Sequence, residues 1–356
     1  MEPLSPQNKC TSAALMLTQV RTLKATFDAS FDRAITSGDA QDVLQAQTDK
    51  ATLLSAMALL QNHLDSIAYE QTSDTEFLTR MKQKLTEGRL LSRTDLSFLY
   101  EVPKPFEGLE EEERSLLEIR KERNPHEDML IIFACDESQI AHAVEEINES
   151  TKAYVGKLQP NIFTLLPEGV EYVYTSFPEG CIRRYSIGIG GESESELKEL
   201  LKEKKHRLEN ANWMLEHDDY KRSLYQEDPK DSKKPHYTQW GLKSPEEITL
   251  ILLSVKDLRL PSSATLSQIY EQAEELGLEL CPPGVGPRFR LQYVNQPMYE
   301  CVYVGMEPIA DSNGDLNLFY MVRNSDGSWL SSRLSWRTWS VNDQFVFRLR
   351  KKPLKS

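Results

Sequence analysis

Near the C-terminus Trp329, Trp336 and Trp339 interleave with Arg333 and Arg337, and Arg348, Arg350, Lys351 and Lys352 follow. An indole offers a flat face on which a base can stack, and a guanidinium grips phosphate or carboxylate through paired N–H donors. The pattern describes either a surface for a nucleotide, RNA or another anionic ligand, or the core of a small β domain with a solvated basic rim. Trp329, Arg333, Trp336, Arg337, Trp339, Arg348 and Arg350 are therefore the candidate binding residues.

The other chemistry-bearing patterns resolve into structure. Ile187-Gly-Ile-Gly-Gly191 sits between a strand and a helix, where a phosphate loop would sit, but it lacks the third glycine of a dinucleotide fingerprint and the lysine of a P-loop. Glu192 and Glu194 would face the phosphates, so a glycine turn before a capped helix is expected. Asp311-x-Asn313-x-Asp315 opens like a calcium loop, yet glycine stands fourth rather than sixth and no glutamate closes it. The six histidines are scattered, and the five cysteines form no C-x-x-C pair. No cofactor, metal or catalytic residue is expected from these patterns.

Net charge is -13, and the residues from Arg333 onward carry seven Lys and Arg against one Asp. The acidic bulk argues against general nucleic-acid binding, leaving that option to the C-terminal end alone. The longest apolar stretch, Ile248 to Val255, is far shorter than the ~20 residues of a membrane span. The opening Met-Glu-Pro-Leu-Ser-Pro has no basic or apolar leader character, so a cytoplasmic protein without membrane contact is expected.

The elements that must position these residues point to an α+β fold. After an irregular start, Leu15, Val20, Leu23, Phe27 and Phe31 give one helix its inner stripe. Val43, Leu44, Ala51, Leu54, Met57, Ala58 and Leu64 give it to a second. Such a hairpin packs on the helices that follow or meets a partner. Ser92-x-x-Asp95, Ser193-x-x-Glu196 and Thr265-x-x-Gln268 are helix-start signatures, the middle one expected to open a helix reaching Leu215. Met129–Ala134 reads as a strand, followed by a helix through Ile147. Arg288–Val294, Glu300–Met306, Leu316–Val322, Ser328–Leu330 and Gln344–Arg350 read as an antiparallel meander, with Asn313-Gly314 and Asp326-Gly327 as its turns.

The expected organisation is a helical region over 1–105, a small α/β domain over 106–215, a charged linker over 216–245 and a C-terminal α+β module over 246–356. Leu96–Val102, Asn148–Gly156, Val173–Gly180, Gly277–Pro287 and Gln344–Arg350 carry a resemblance to an uncharacterised modular family of uncultivated small-genome bacteria, over roughly residues 90–356. The resemblance implies a bacterial origin and a shared module, with no activity attached. The expected function is a non-catalytic binding protein that recognises a protein partner through its C-terminal β module. The alternative is a nucleotide- or RNA-directed enzyme or toxin using the basic aromatic end.

Overall fold

The computed structural model describes residues 6–70, 73–102, 113–225 and 242–350. Two compact units, Met1–Ile132 and Phe133–Ser356, divide the chain, and the architecture is α+β with helices at the N-terminal side.

In the first unit α1 (Pro6–Ser37) and α2 (Ala40–Glu70) form the expected hairpin. Gly38, at φ +64, ends α1, and the Asp39 carboxylate accepts from Gln41 N–H at 2.7 Å to cap α2. The positions turned inward are Met16, Val20, Leu23, Phe27, Ser30 and Ala34 on α1, and Asp42, Ala46, Asp49, Leu53, Ala56 and Leu60 on α2. Their steps alternate between four and three, the 3.5-residue period of a coiled-coil seam. Of the expected stripes, Val20, Leu23 and Phe27 do turn inward, whereas Leu15, Phe31, Val43, Leu44, Ala51, Leu54 and Met57 are exposed, and the side chains of Ala58 and Leu64 lie outside the described residues.

Next come α3 (Asp74–Thr86), α4 (Arg93–Leu99), α5 (Glu113–Lys121) and α6 (Pro125–Phe133). The Ser92–Asp95 capping box opens α4 as its sequence predicts, and the buried Asp95 also holds Lys84 at 2.7 Å. The expected strand Met129–Ala134 is instead the end of α6. Upstream, Asn124 Oδ1 accepts from His126 N–H, Pro125 sits at the first helical position, and Glu127 and Asp128 occupy the first turn. Those start signals outweigh a short apolar run. Asp128 accepts from Arg123 Nε at 2.5 Å and from the Tyr100 hydroxyl at 2.9 Å.

The second unit opens with a parallel sheet of β1 (Ile140–Ala141), β2 (Ala153–Val155) and β3 (Tyr172–Tyr174), Ala153 lying opposite both Ile140 and Tyr172. Two short 3-10 turns flank β1 where a helix through Ile147 was expected. The helix α7 (Ile162–Leu165) precedes β3.

A larger sheet follows. Its elements in chain order are β4 (Arg183–Ile189), α8 (Glu194–Glu203), β5 (Arg207–Leu208), α9 (Asn212–Glu216), α10 (Asp218–Leu224), β6 (Glu246–Ser254) and α11 (Leu266–Glu275). Then come β7 (Leu278–Glu279), α12 (Val285–Gln292), β8 (Cys301–Val304), β9 (Ile309–Ala310), β10 (Leu316–Asn324), β11 (Gly327–Leu334) and β12 (Gln344–Leu349). The strand order is β4-β6-β12-β8-β10-β11-β5, with β7 on β12 and β9 on β10.

This order changes the expected plan in three ways. Strands β4 and β6 pair along Arg183–Ile189, so the sheet bridges the boundary expected over 216–245. Within that stretch Tyr220 and Leu224 of α10 are core residues, while 226–241 lies outside the described residues. The meander holds for β8, β10 and β11, but β12 returns to lie parallel to β8 and antiparallel to β6. Its Val346 and Phe347 are buried, and a centre position covers both faces of such a strand. Finally, the expected strand Arg288–Val294 falls mainly in α12, whose Val285 and Phe289 are buried one turn apart and whose Arg290 bonds the Tyr293 carbonyl. The α8 helix stops at Glu203, well before Leu215, because the chain turns into β5.

The turn at Gly314 is as expected, with φ +87. The Asp311 carboxylate accepts from Asn313 and Asp315 N–H at 2.8 and 3.0 Å, so the calcium-like spacing serves an Asx turn. In the second hairpin Asn324 pairs with Gly327, placing Ser325 and Asp326 at the bend and Gly327 just after it at φ +131. Among the described residues no helix is long and apolar enough to cross a membrane.

Candidate functional site

The seven candidate residues occupy separate environments. Trp339 is 0% exposed and sits edge-on against Tyr303 and Phe345, with ring centroids 4.6 and 4.8 Å away. Arg337 lies 4.1 Å over Trp339 and 5.0 Å over Tyr303, donates to the Tyr303 hydroxyl, and pairs with Asp343 at 2.9 Å. These two residues are core and its clamp. Trp329, half-buried on β11, donates to Asn324 at 3.1 Å and stacks under the Arg207 guanidinium at 4.9 Å. Arg333 is exposed on the same strand, and Trp336 is 72% exposed in the loop that follows.

Arg348 and Arg350 end on the opposite side of the sheet order, where Arg348 pairs with Glu246 at 3.6 Å and Arg350 with Glu279 at 3.2 Å. Together with Arg184 they line a cleft of about 650 Å³ floored by Val170, Ile182 and Ile251. Glu168, Glu171 and Glu247 line it too, so its charge is balanced. The tryptophans and arginines therefore do not assemble into one stacking platform.

A polar network missed at the sequence level runs through α12. Arg183 donates to the Tyr293 hydroxyl at 2.7 Å, to Gln344 at 2.9 Å and to Glu300, and Tyr293 donates in turn to Glu300 at 2.6 Å. Arg290, fully buried, bonds Gln296 and the Tyr293 carbonyl. Burial lowers its pKa to about 10. Burial, then Arg290 and Lys204, depress His206 to about 4, and its Nδ1 is buried without a partner among the described residues. Burial likewise pushes the Cys281 thiol up. The Cys281 thiol is thus held protonated, its less nucleophilic form, while Arg183 is engaged by Tyr293, Gln344 and Glu300.

The helical hairpin presents the other candidate surface. With the seam residues assigned to heptad positions a and d, Leu17, Phe31, Val43 and Met57 fall at e, and Ile35 and Leu54 at b. In an antiparallel pair the b and e positions of both helices border the seam on one side, and c and g on the other. The b/e residues are 41% to 67% exposed. Among the described side chains the c/g side carries Gln19, Thr22, Thr26, Arg33, Gln45, Thr48, Thr52 and Ser55, a polar surface interrupted by Leu15 and Ala29. The signal was present in the sequence as a 3.5-residue register; a looser helical stripe merges the seam with its flank. No family model, curated protein or solved structure matches the chain.

Proposed function

We propose that this chain is a non-catalytic binding protein that works by contact with a protein partner. The observation that carries the reading is the two-sided hairpin, which leaves six large apolar side chains uncovered along one flank, while among the described side chains the opposite flank is polar apart from Ala29 and Leu15. A soluble surface does not need aligned apolar residues, and burying a Leu or Phe side chain gains about 1.5–3 kcal/mol, so such a flank is stabilised by a partner. Trp336 supports a second contact at the C-terminal module, because an exposed tryptophan near an exposed arginine is the composition of an interface anchor. The nucleotide- or RNA-directed reading draws less support, since Arg348 and Arg350 already hold carboxylates. On the sequence grounds above, the place of action is proposed to be a bacterial cytoplasm.

The test is site-specific photo-crosslinking in producing cells, with the reactive side chain at position 31 or 54 and, as controls, at 26 or 52 on the polar flank. Protein adducts are expected at 31 and 54 only. Equal reaction on both flanks, or none at 31 and 54, overturns the reading.

A further inference from the structure

The geometry points to the occupant of the hairpin's apolar flank: we infer that it docks an amphipathic helix of a protein partner, acidic in its middle and apolar at two places about four turns apart. This rests on the protein-contact reading above and adds the partner's chemistry.

The six exposed residues form two groups. Phe31, Ile35 and Val43 lie near the turn, and Leu17, Leu54 and Met57 lie toward the far end. On α1 Leu17 and Phe31 are 14 residues apart, or about 21 Å at the helical rise. Between them the b and e positions are Arg21, Lys24, Asp28, Gln47 and Lys50. Lys24 and Asp28 neutralise each other at 2.7 Å. Arg21 and Lys50 have no partner among the described residues, so the middle of the flank carries an excess of positive charge.

That pattern selects among occupants. A second copy docked by two-fold symmetry would bring two Arg21 and two Lys50 side chains into one middle, and like-charge juxtaposition disfavours such pairing. A partner with Asp or Glu there neutralises them, while its apolar residues fill the two groups at either end. The shape specifies a helix. The shallow groove between two packed helices accepts the apolar face of a third, whereas a strand finds no backbone donors, since those of α1 and α2 are used within each helix.

Two designed helical peptides of about 24 residues test this, identical in their terminal leucine anchors and carrying either glutamates or lysines at the middle. Binding to the full chain is read by fluorescence anisotropy at two salt concentrations. The glutamate peptide is expected to bind at least about tenfold more tightly, with the gap narrowing as salt rises. Leu54→Glu should weaken both peptides, and the Arg21→Glu, Lys50→Glu double variant should invert the preference. Melting curves that match the parent show that the variants fold. Equal binding of the two peptides, no binding of either, or a preference unmoved by the charge reversal overturns the inference. So does a dimer, seen by light scattering, that Leu54→Glu dissolves; in that case the crosslinks at 31 and 54 persist as self-adducts, and the protein-contact reading survives without this one.

Discussion

The two units treat their large apolar side chains in opposite ways. In Phe133–Ser356 the rings of Tyr303, Trp339, Phe345 and Phe347 are buried against one another in the sheet's core. In the α1–α2 hairpin Phe31, Leu54 and Met57 are half-exposed or more, and the seam contains Ser30, Ala34, Ala46 and Ala56. A sheet covered by helices can enclose aromatic rings on both faces, whereas two helices alone share one narrow line of contact. The contrast teaches that an uncovered residue means different things in the two units. On the hairpin it belongs to an aligned flank, and in the sheet unit Trp336 is exposed beside a fully enclosed core, with Leu316 exposed nearby.

The contrast is tested first where the largest effect is expected. Trp339→Ala empties a fully enclosed site and should destabilise the Phe133–Ser356 unit by about 3–5 kcal/mol, read by urea denaturation followed by circular dichroism. In the hairpin seam, Leu53→Ala should cost about 2 kcal/mol, because two helices can close on a small void; amide hydrogen exchange over α1 and α2 measures it. A loss equal to that of Trp339→Ala would break the comparison.

His206 gives the packed unit a pH dependence. Its imidazole is held neutral in the fold, with a pKa lowered from 6.5 to about 4, so the unfolded chain binds a proton first as pH falls. This stability is fully present above pH 6.5 and is lost as pH drops toward 4. The loss should approach about 2 kcal/mol, less than the full shift because the ring is only half-buried. His206→Gln should flatten the profile within that window, and an unchanged profile would show that the ring titrates normally.

Gly314→Val should cost about 1–2 kcal/mol from the left-handed backbone alone, since a side chain there would meet nothing within 4 Å. A parental melting temperature would mean that the turn relaxes. Trp336→Ala should change stability by no more than about 0.5 kcal/mol, because its ring is already in water. A larger loss would place Trp336 with Trp339 and erase the distinction drawn between them.

Local chemistry was legible in the sequence. Ser92, Ser193 and Thr265 each begin a helix through a reciprocal bond with the residue three positions on, and these bonds close within four residues whatever the rest of the chain does. The Gly314 turn, the helical hairpin and the strands of β10 and β11 follow for the same reason. Short segments were less legible: the apolar Met129–Phe133 and the alternating Arg288–Gln292 are too brief for their period to decide, and their helical state is set by Pro125 and by the burial of Phe289 and Arg290.

The candidate site shows the same division. Sequence alone determined that tryptophans and arginines crowd the C-terminal end, and that two long helices would be left with apolar residues to cover. Only the tertiary structure decided which of them meet. Strand β12 passes back between β6 and β8, and Trp339 is drawn into the core while Arg348 and Arg350 are carried to carboxylates on Glu246 and Glu279. On the hairpin, the seam register selected Phe27 and Leu53 for burial and left Phe31 and Leu54 outside. Neighbouring residues on a helix differ by about 100° in direction, so a side chain's fate there depends on where the partner helix lies, which no single helix encodes.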